Sequence, residues 1–390
     1  MEKVPAHAIS SLRIIPDIDT GTVSITVNAD TGTAKMTVLD GAKVVTRAEG
    51  KAGEPIALKI PQAKLWSPES PFLYDLEVTL DRDSVKSYFG MRKISVGKDA
   101  QGILRPMLNN SYVHMHGPLD QGYWPDGIYT APTDEALKFD IEMTKKFVFH
   151  MTRNHIKIEP ARWYYWTDKL GLLVGQDMPA GGAGTGAKRA TEDGTPVSPE
   201  AAAQFESELK AMIDQHFNAP PIVWWIVFNE GWGQYDTPRL TKLTKALDPT
   251  RIVCNASGFL DVPCGDGIDW HRYPGPLRPK PSAERLAVNG EFGGIGLIVP
   301  GHQWVPEQEV SSMYKTATDK ADYENRFLAL WKQVYADDVK PGVSGAVYTE
   351  LTDAEKEVNG LMTYDRKVIK VDIERIADAI ARRTFPASRP

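Results

Sequence analysis

From Ser11 to about residue 96 the chain alternates polar and apolar positions one by one. SLRIIPDI, TVSITVNA, AKMTVLDG, PIALKI and YDLEVTL each carry the period of two that sets one face of a strand against a core. Gly, Asp and Pro fall between them. Short strands separated by turn signals at roughly 8–12 residues predict a β-sandwich. DSVKSYFGMRKISV supplies the last strand or two, and the polar, glycine-bearing GKDAQGILRP reads as a linker.

Beyond about residue 103 the pattern changes. Eight apolar runs follow: YVHMH, FVFHMTR, LLVGQD, IVWWIVFNE, RIVCNAS, GIDWHRY, AVNGEF and VSGAVYTE. Between them lie amphipathic stretches, among them TDEALKFDIEMTKKF, RWYYWTDKLG, ENRFLALWKQVYADD and KVDIERIADAIARR. SPEAAAQFESELKAMIDQHF has Ser198 as a natural N-cap and Pro199 at the first helical position. Eight strands alternating with helices predict a (β/α)8 TIM barrel over 101–390, preceded by the sandwich over 1–100. A doubly wound open sheet is disfavoured, because no Gly-rich dinucleotide loop follows any strand.

The bulk numbers narrow the function classes. With 390 residues the chain suits two domains. A net charge of −6 leaves no basic footprint, which argues against nucleic acid as a partner. No apolar run approaches the roughly 20 residues that span a bilayer, so no membrane partner is expected. MEKVPAHAISS lacks the apolar centre of a secretion signal, so the expected location as expressed is cytoplasmic. Cys254 and Cys264 read as free thiols. Ten tryptophans suit both carbohydrate faces and cores. PAGGAGTGAKRATEDGTPVSP (179–199) lacks the Gly-Lys-Ser/Thr of a phosphate loop and reads as a mobile loop on the functional face. Oligomeric state stays open.

In such barrels the chemistry sits where strands end. The fourth barrel strand ends in Asn229 and Glu230, and the seventh in Glu291 between glycines. A carboxylate closing an apolar strand is costly unless paired or functional. Two facing each other across a barrel mouth suit glycoside hydrolysis: one protonates the leaving oxygen, the other attacks the anomeric carbon or activates water. A separation of roughly 5–5.5 Å gives retention and 6.5–9.5 Å inversion.

LWSPESPFLYDLEVTL and SYFGMRKISV resemble the immunoglobulin-like domain of glycoside hydrolase family 2. RNHIKIEPARWYYWTDKLGLLV, VFNEGWGQYDTPRL, DPTRIVCNASG, HRYPGP, GEFGG and VNGLMTYDRKV resemble its catalytic barrel. The family comprises β-galactosidases, β-glucuronidases and β-mannosidases. The resemblance implies retaining hydrolysis of a β-linked glycoside, in a small molecule or an oligosaccharide, without a cofactor. Glu230 would be the acid/base, Glu291 the nucleophile, and Asn229 the holder of the sugar 2-hydroxyl. Trp224, Trp225 and Phe228 are expected to keep the surroundings of the acid apolar. Arg153 and Tyr273 are expected on the nucleophile, and His271 and Asp120 on sugar hydroxyls. Trp232 and Trp304 are candidates to stack on a pyranose. The family's leading jelly-roll domain is not matched, which reads as a truncation.

Several barrel positions depart from that resemblance. His114 and His116 stand where aromatics are usual, His150 where Asn is, and Gly175 where Trp is. Arg272 replaces a small polar residue, Asn289 an apolar one, and Glu350 a Gln. The clustering on strands suggests a remodelled, even engineered, barrel interior, in which Gly175 leaves a void that Trp224 refills elsewhere. Trp270 is the second candidate, with Trp224, to refill that space. On that alternative the new histidines support a non-glycosidic reaction. His114 and His116, two apart on one strand, would begin a zinc site with His150, His155 or His271 and a carboxylate such as Asp269, Glu291 or Glu350. Without metal, His116 and Glu350 would form a general base. A third reading is a carbohydrate binder without catalysis.

Overall fold

The computed structural model describes residues 5, 7–180, 194, 196–310, 316–339 and 342–381. Most of the glycine-rich stretch read as a loop over the functional face lies outside the described residues.

Seven strands build the sandwich: β1 (Ser11–Asp17), β2 (Thr22–Asn28), β3 (Thr33–Asp40), β4 (Lys43–Lys51), β5 (Pro55–Lys59), β6 (Tyr74–Leu80) and β7 (Asp83–Phe89). They form two antiparallel sheets, β1-β2-β5 and β4-β3-β6-β7. The alternation is direct: Val23, Ile25 and Val27 of β2 and Leu76 and Val78 of β6 are buried, and their sequence neighbours are more exposed. Strand β4 carries no such signal. It is a largely exposed edge strand, rich in Lys, Arg and Glu, which limits pairing with other chains.

The expected linker is a hairpin. β8 (Ile94–Lys98) and β9 (Leu104–Leu108), with β10 (Ser111–Tyr112), form a separate three-stranded sheet. Ile94 and Leu108 pack with Trp66 of the sandwich and with barrel residues Met115, Met151, Leu173 and Leu286, closing the barrel floor. Trp66 Nε1 donates to Asp168 O at 2.9 Å, and Arg92 Nε donates to Pro220 O at 2.8 Å, joining sandwich to barrel.

The barrel runs β11 (Met115–Asp120), α1 (Asp134–Lys146), β12 (Met151–Asn154), α2 (Ala161–Leu170), β13 (Leu173–Asp177), α3 (Pro199–His216), β14 (Ile222–Asn229), α4 (Thr237–Leu247), β15 (Ile252–Ser257), β16 (Gly267–His271), β17 (Leu286–Gly293), α5 (Lys320–Val339), β18 (Val343–Thr349) and α6 (Ile373–Ala381). β11 to β18 close in order into one barrel of eight parallel strands. Ser198 caps α3, accepting from Ala201 N at 3.2 Å. Among the described residues no helix is long and apolar enough to cross a membrane. Cys254 and Cys264 are free thiols.

The first barrel strand starts later than its sequence suggests. Met115 faces the barrel interior, so His114 and His116 face out. His116 lies against Phe149, Trp331 and Tyr335, with ring centroids 6.0, 5.8 and 5.7 Å away, in the layer between strands and α5. His150 packs on His116 at 4.1 Å and its Nε2 lies 2.7 Å from His114 O. Asn289 also faces out, exchanging hydrogen bonds with the backbone N and O of Leu277. Arg272 is exposed and lines an outer groove with Gly275, Arg278 and Gln333. These five changes therefore do not remodel the interior. Gly175 does face inwards, but leaves no void at its own position. A Cβ there would lie 3.1 Å from Met151 Cε and 3.3 Å from Trp224 Cε3, because Trp224, its register partner on β14, occupies the space.

Candidate active site

Glu291 reaches the barrel axis through an irregularity. Leu286 and Val288 of β17 face inwards, and simple alternation would continue with residues 290 and 292. The register shifts between Asn289 and Phe292, so Glu291 points in and Phe292 packs out against Trp331. Gly290 makes the shift feasible: a Cβ there would overlap the Asp269 carboxylate and the Ser257 hydroxyl. Glu230, just beyond β14, has φ of 53°, in the left-handed region, at a turn continued by Gly231 and Gly233.

The two carboxylates meet at His271. Nδ1 lies 3.0 Å from Glu230 Oε1 and 3.3 Å from Glu291 Oε2. One oxygen from each glutamate and the imidazole nitrogen all lie within 4.8 Å of one another. Burial holds His271 down at about 4, so the ring is neutral. With two carboxylates at Nδ1, that nitrogen carries the proton. Nε2 then accepts from Ser257 Oγ, 2.7 Å away.

Glu291 is held on both oxygens. Tyr273 donates to Oε2 at 2.5 Å, and Arg153 Nη1 donates to Oε1 at 3.1 Å. Burial pushes Glu291 up to about 8 and the nearby charge of Glu230 adds to this, while Arg153 and Tyr273 oppose it. Arg153, fully buried, is fixed by a bidentate pair with Asp177, Nε–Oδ1 3.0 Å and Nη2–Oδ2 2.8 Å, and donates to Asn229 Oδ1 at 2.8 Å. Asp177 accepts further from Ile156 N, at 3.1 Å, and lies 3.2 Å from His155 Nδ1. Arg153 and its hydrogen bonds hold Asp177 below the usual carboxylate range despite burial. Thr349 Oγ1 lies 2.9 Å from the Tyr273 hydroxyl. Beneath the pair, burial pushes Asp269 up to about 7.

Sequence reading missed Asp177, Ser257 and Thr349, although each closes a barrel strand. That position was the available signal.

Other expected members are elsewhere. Asp120 ends β11 rather than following it, and accepts from Gly122 N at 2.9 Å. Its surroundings are a second buried cluster, with Lys157–Glu159 at 2.6 Å and Arg366–Asp140 at 2.7 Å. His271 lies against the two glutamates rather than being left open to a sugar. Phe228 stacks on Phe205 of α3, and Trp225 donates to Asp248, so both face the helix layer; Trp224 lies deep in the barrel with Gly175. Trp304 stands in an aromatic group with Tyr123 and Tyr364, at 5.5 and 5.7 Å. Trp232, half-buried, follows Asn229 in the same turn as Glu230.

Among the described residues, Glu230, His271 and Glu291 are the group of three His, Cys, Asp or Glu donors close enough to share one ion. His114, His116 and His150 form no such group. Glu350 receives Gln121 Nε2 at 3.1 Å just past the end of β18, whereas His116 pairs in register with Ala346 in mid-strand and faces the helix layer, so the expected His116–Glu350 base is not assembled.

A sandwich joined to a parallel barrel, with a half-buried and a buried glutamate converging at the strands' C-terminal ends, defines a barrel built around a carboxylate pair. Residues 7–92 match the family model for glycosyl hydrolases family 2, and residues 126–268 match that for its TIM barrel domain, together more than half of the chain. The chain belongs to glycosyl hydrolases family 2. It is similar to a β-glucuronidase of Bacteroides fragilis, 27% identical over 277 residues, which cover 65% of this chain and 38% of that protein. A β-galactosidase of Lactococcus lactis is 26% identical over 228 residues, covering 58% of this chain and 22% of that one. The chain thus spans well under half the length of these relatives. The crystal structure of Ruminococcus gnavus β-glucuronidase shares the fold, with a TM-score of 0.74 at 17% identity, covering 96% of this chain and 68% of that one. A β-D-glucuronidase of Dictyoglomus thermophilum gives 0.73 at 15%, covering 97% and 69%.

Proposed function

We propose that the protein is a glycosidase that cleaves a β-linked glycoside with retention, using Glu291 as nucleophile and Glu230 as acid/base. The observation that carries this is that one oxygen of each carboxylate lies within 4.8 Å of the other, which suits the close pair of a retaining enzyme better than the wider pair of an inverting one. Their surroundings divide the roles. Tyr273 and Arg153 place donors on Glu291, which favours charge there. Two such neighbours share one proton; cleavage needs it on Glu230, and Arg153 and Tyr273 favour that by opposing the rise of Glu291. The Glu230 side chain is 18% exposed and that of Glu291 7%, which leaves Glu230 the better placed to meet a leaving group and water.

In the first step Glu291 attacks the anomeric carbon as Glu230 protonates the departing oxygen. The bond to the aglycone breaks and a glycosyl ester forms on Glu291. In the second step Glu230 takes a proton from water, whose oxygen displaces Glu291 with the original configuration. Asn229, whose Oδ1 accepts from Arg153, takes the 2-hydroxyl on this reading. The substrate is a galactoside, glucuronide or mannoside of a small molecule or oligosaccharide.

A 2-deoxy-2-fluoro-β-glycoside with a dinitrophenyl leaving group tests the reading. One sugar is expected on Glu291 by peptide mass spectrometry, and none in Glu291→Gln. Labelling of Glu230, or turnover without labelling across the sugar series, would refute it.

A further inference from the structure

Glu350 follows β18 directly and is 1% exposed. Its Oε2 accepts from Gln121, while Oε1 has no hydrogen-bond partner among the described residues. A buried oxygen of this kind is costly until something donates to it. Among the described residues the buried cations nearest to it are committed. Arg153 holds Asp177 and Glu291, Lys157 holds Glu159, Arg366 holds Asp140, and Lys370 holds Asp353. Arg272 faces the outer groove. Burial, then the charges of half-buried Glu357 and of Asp353, push Glu350 well above the usual carboxylate range, so these surroundings disfavour further negative charge.

This acidic cluster adjoins the catalytic pair. Thr349, the residue before Glu350, touches the Tyr273 hydroxyl that donates to Glu291. On its other side, close to Gln121, Tyr123 stacks on Tyr129 at 4.9 Å and meets Trp304 edge-on at 5.5 Å. Such a wall suits the C–H face of a pyranose.

We propose that Glu350 Oε1 accepts a ring hydroxyl of a neutral β-hexoside, and that the carboxylates around it exclude β-uronosides. This rests on Glu230 and Glu291 being a glycosidase pair, and narrows their substrate. A neutral sugar supplies the missing donor. A uronate would bring another carboxylate to a place where the buried cations among the described residues already have partners, so selectivity comes from repulsion as well as fit.

Calorimetric titration with 1,5-lactams separates the two ideas without requiring turnover. At least one neutral lactam of gluco, galacto or manno configuration is expected to bind at least tenfold tighter than glucaro-1,5-lactam. In Glu350→Gln that gap should narrow by about tenfold, with the fold checked by thermal melting. Should that variant not fold, Gln121→Ala is read in its place, with a several-fold change in neutral-lactam affinity expected. Glucarolactam binding as tightly as the neutral lactams, or a gap unchanged in the variant, overturns the Glu350 proposal and leaves the glycosidase reading standing. Binding of no lactam, with no label on Glu291, overturns both.

Discussion

Tyr273→Phe replaces the hydroxyl by hydrogen, a net loss of one oxygen atom, and keeps the ring. The lost contact is the 2.5 Å donation to Glu291 Oε2. Hydrogen bonds to charged groups contribute roughly 1.5–3 kcal/mol. At about 1.4 kcal/mol per pH unit, Glu291 should hold its proton about 1–2 units higher without Tyr273. The sign follows from the chemistry. The nucleophile must be ionised, Glu291 is already pushed up to about 8, and Tyr273 is one of the groups opposing that rise. The acid limb of kcat/KM should therefore move upwards by about 1–2 units, costing roughly 10–100-fold in rate on that limb. A stopped assay with a nitrophenyl β-glycoside from pH 5 to 9 reads this directly. Thr349→Val, which removes only the contact to the Tyr273 hydroxyl, should shift the limb far less. A uniform fall in kcat with the limb unmoved would refute the role given to Tyr273.

Glu230→Ala should slow turnover of glycosides with poor leaving groups by about 100-fold or more, and spare dinitrophenyl glycosides in the first step; equal losses on both would remove Glu230 as the acid. Asp269 is raised from 3.8 to about 7, so its contribution to stability is full below pH 4 and lost as pH rises through 7. Asp269→Asn should therefore flatten the fall in melting temperature between pH 5 and 8, by on the order of 3 kcal/mol at the upper end; an unchanged slope counts against a buried, strained carboxylate. Gly290→Ala should cost about 1–3 kcal/mol of stability by overpacking Asp269 and Ser257, and displace Glu291, seen as a fall in kcat. His116→Ala should lower stability by about 2 kcal/mol through lost packing against Trp331 and Tyr335, with kcat within twofold of wild type; a large loss of kcat would return the histidines to the chemistry.

Local pattern was enough for the framework. Alternation over residues 11–89 follows from one buried sheet face, and eight apolar runs are what a parallel barrel covered on both sides requires. Glu230 and Glu291 were legible because an ionised group closing an apolar strand is rarely tolerated for nothing. Which face a side chain takes was not legible. His114 and His116 face out because Met115 between them faces in, and a one-residue offset inverts every side chain. Glu291 faces in only because β17 slips between Asn289 and Phe292, against the parity of Leu286 and Val288. Gly175 read as a void because sequence shows the missing side chain but not Trp224 leaning across from the next strand. The convergence of Arg153, Asp177, Ser257, His271 and Tyr273 on the pair joins strands up to 138 residues apart in sequence, as for Arg153 and Glu291. Residue types and periodicity thus determined the elements and the two carboxylates. The register of barrel closure decided their partners, their burial and the division of labour between them.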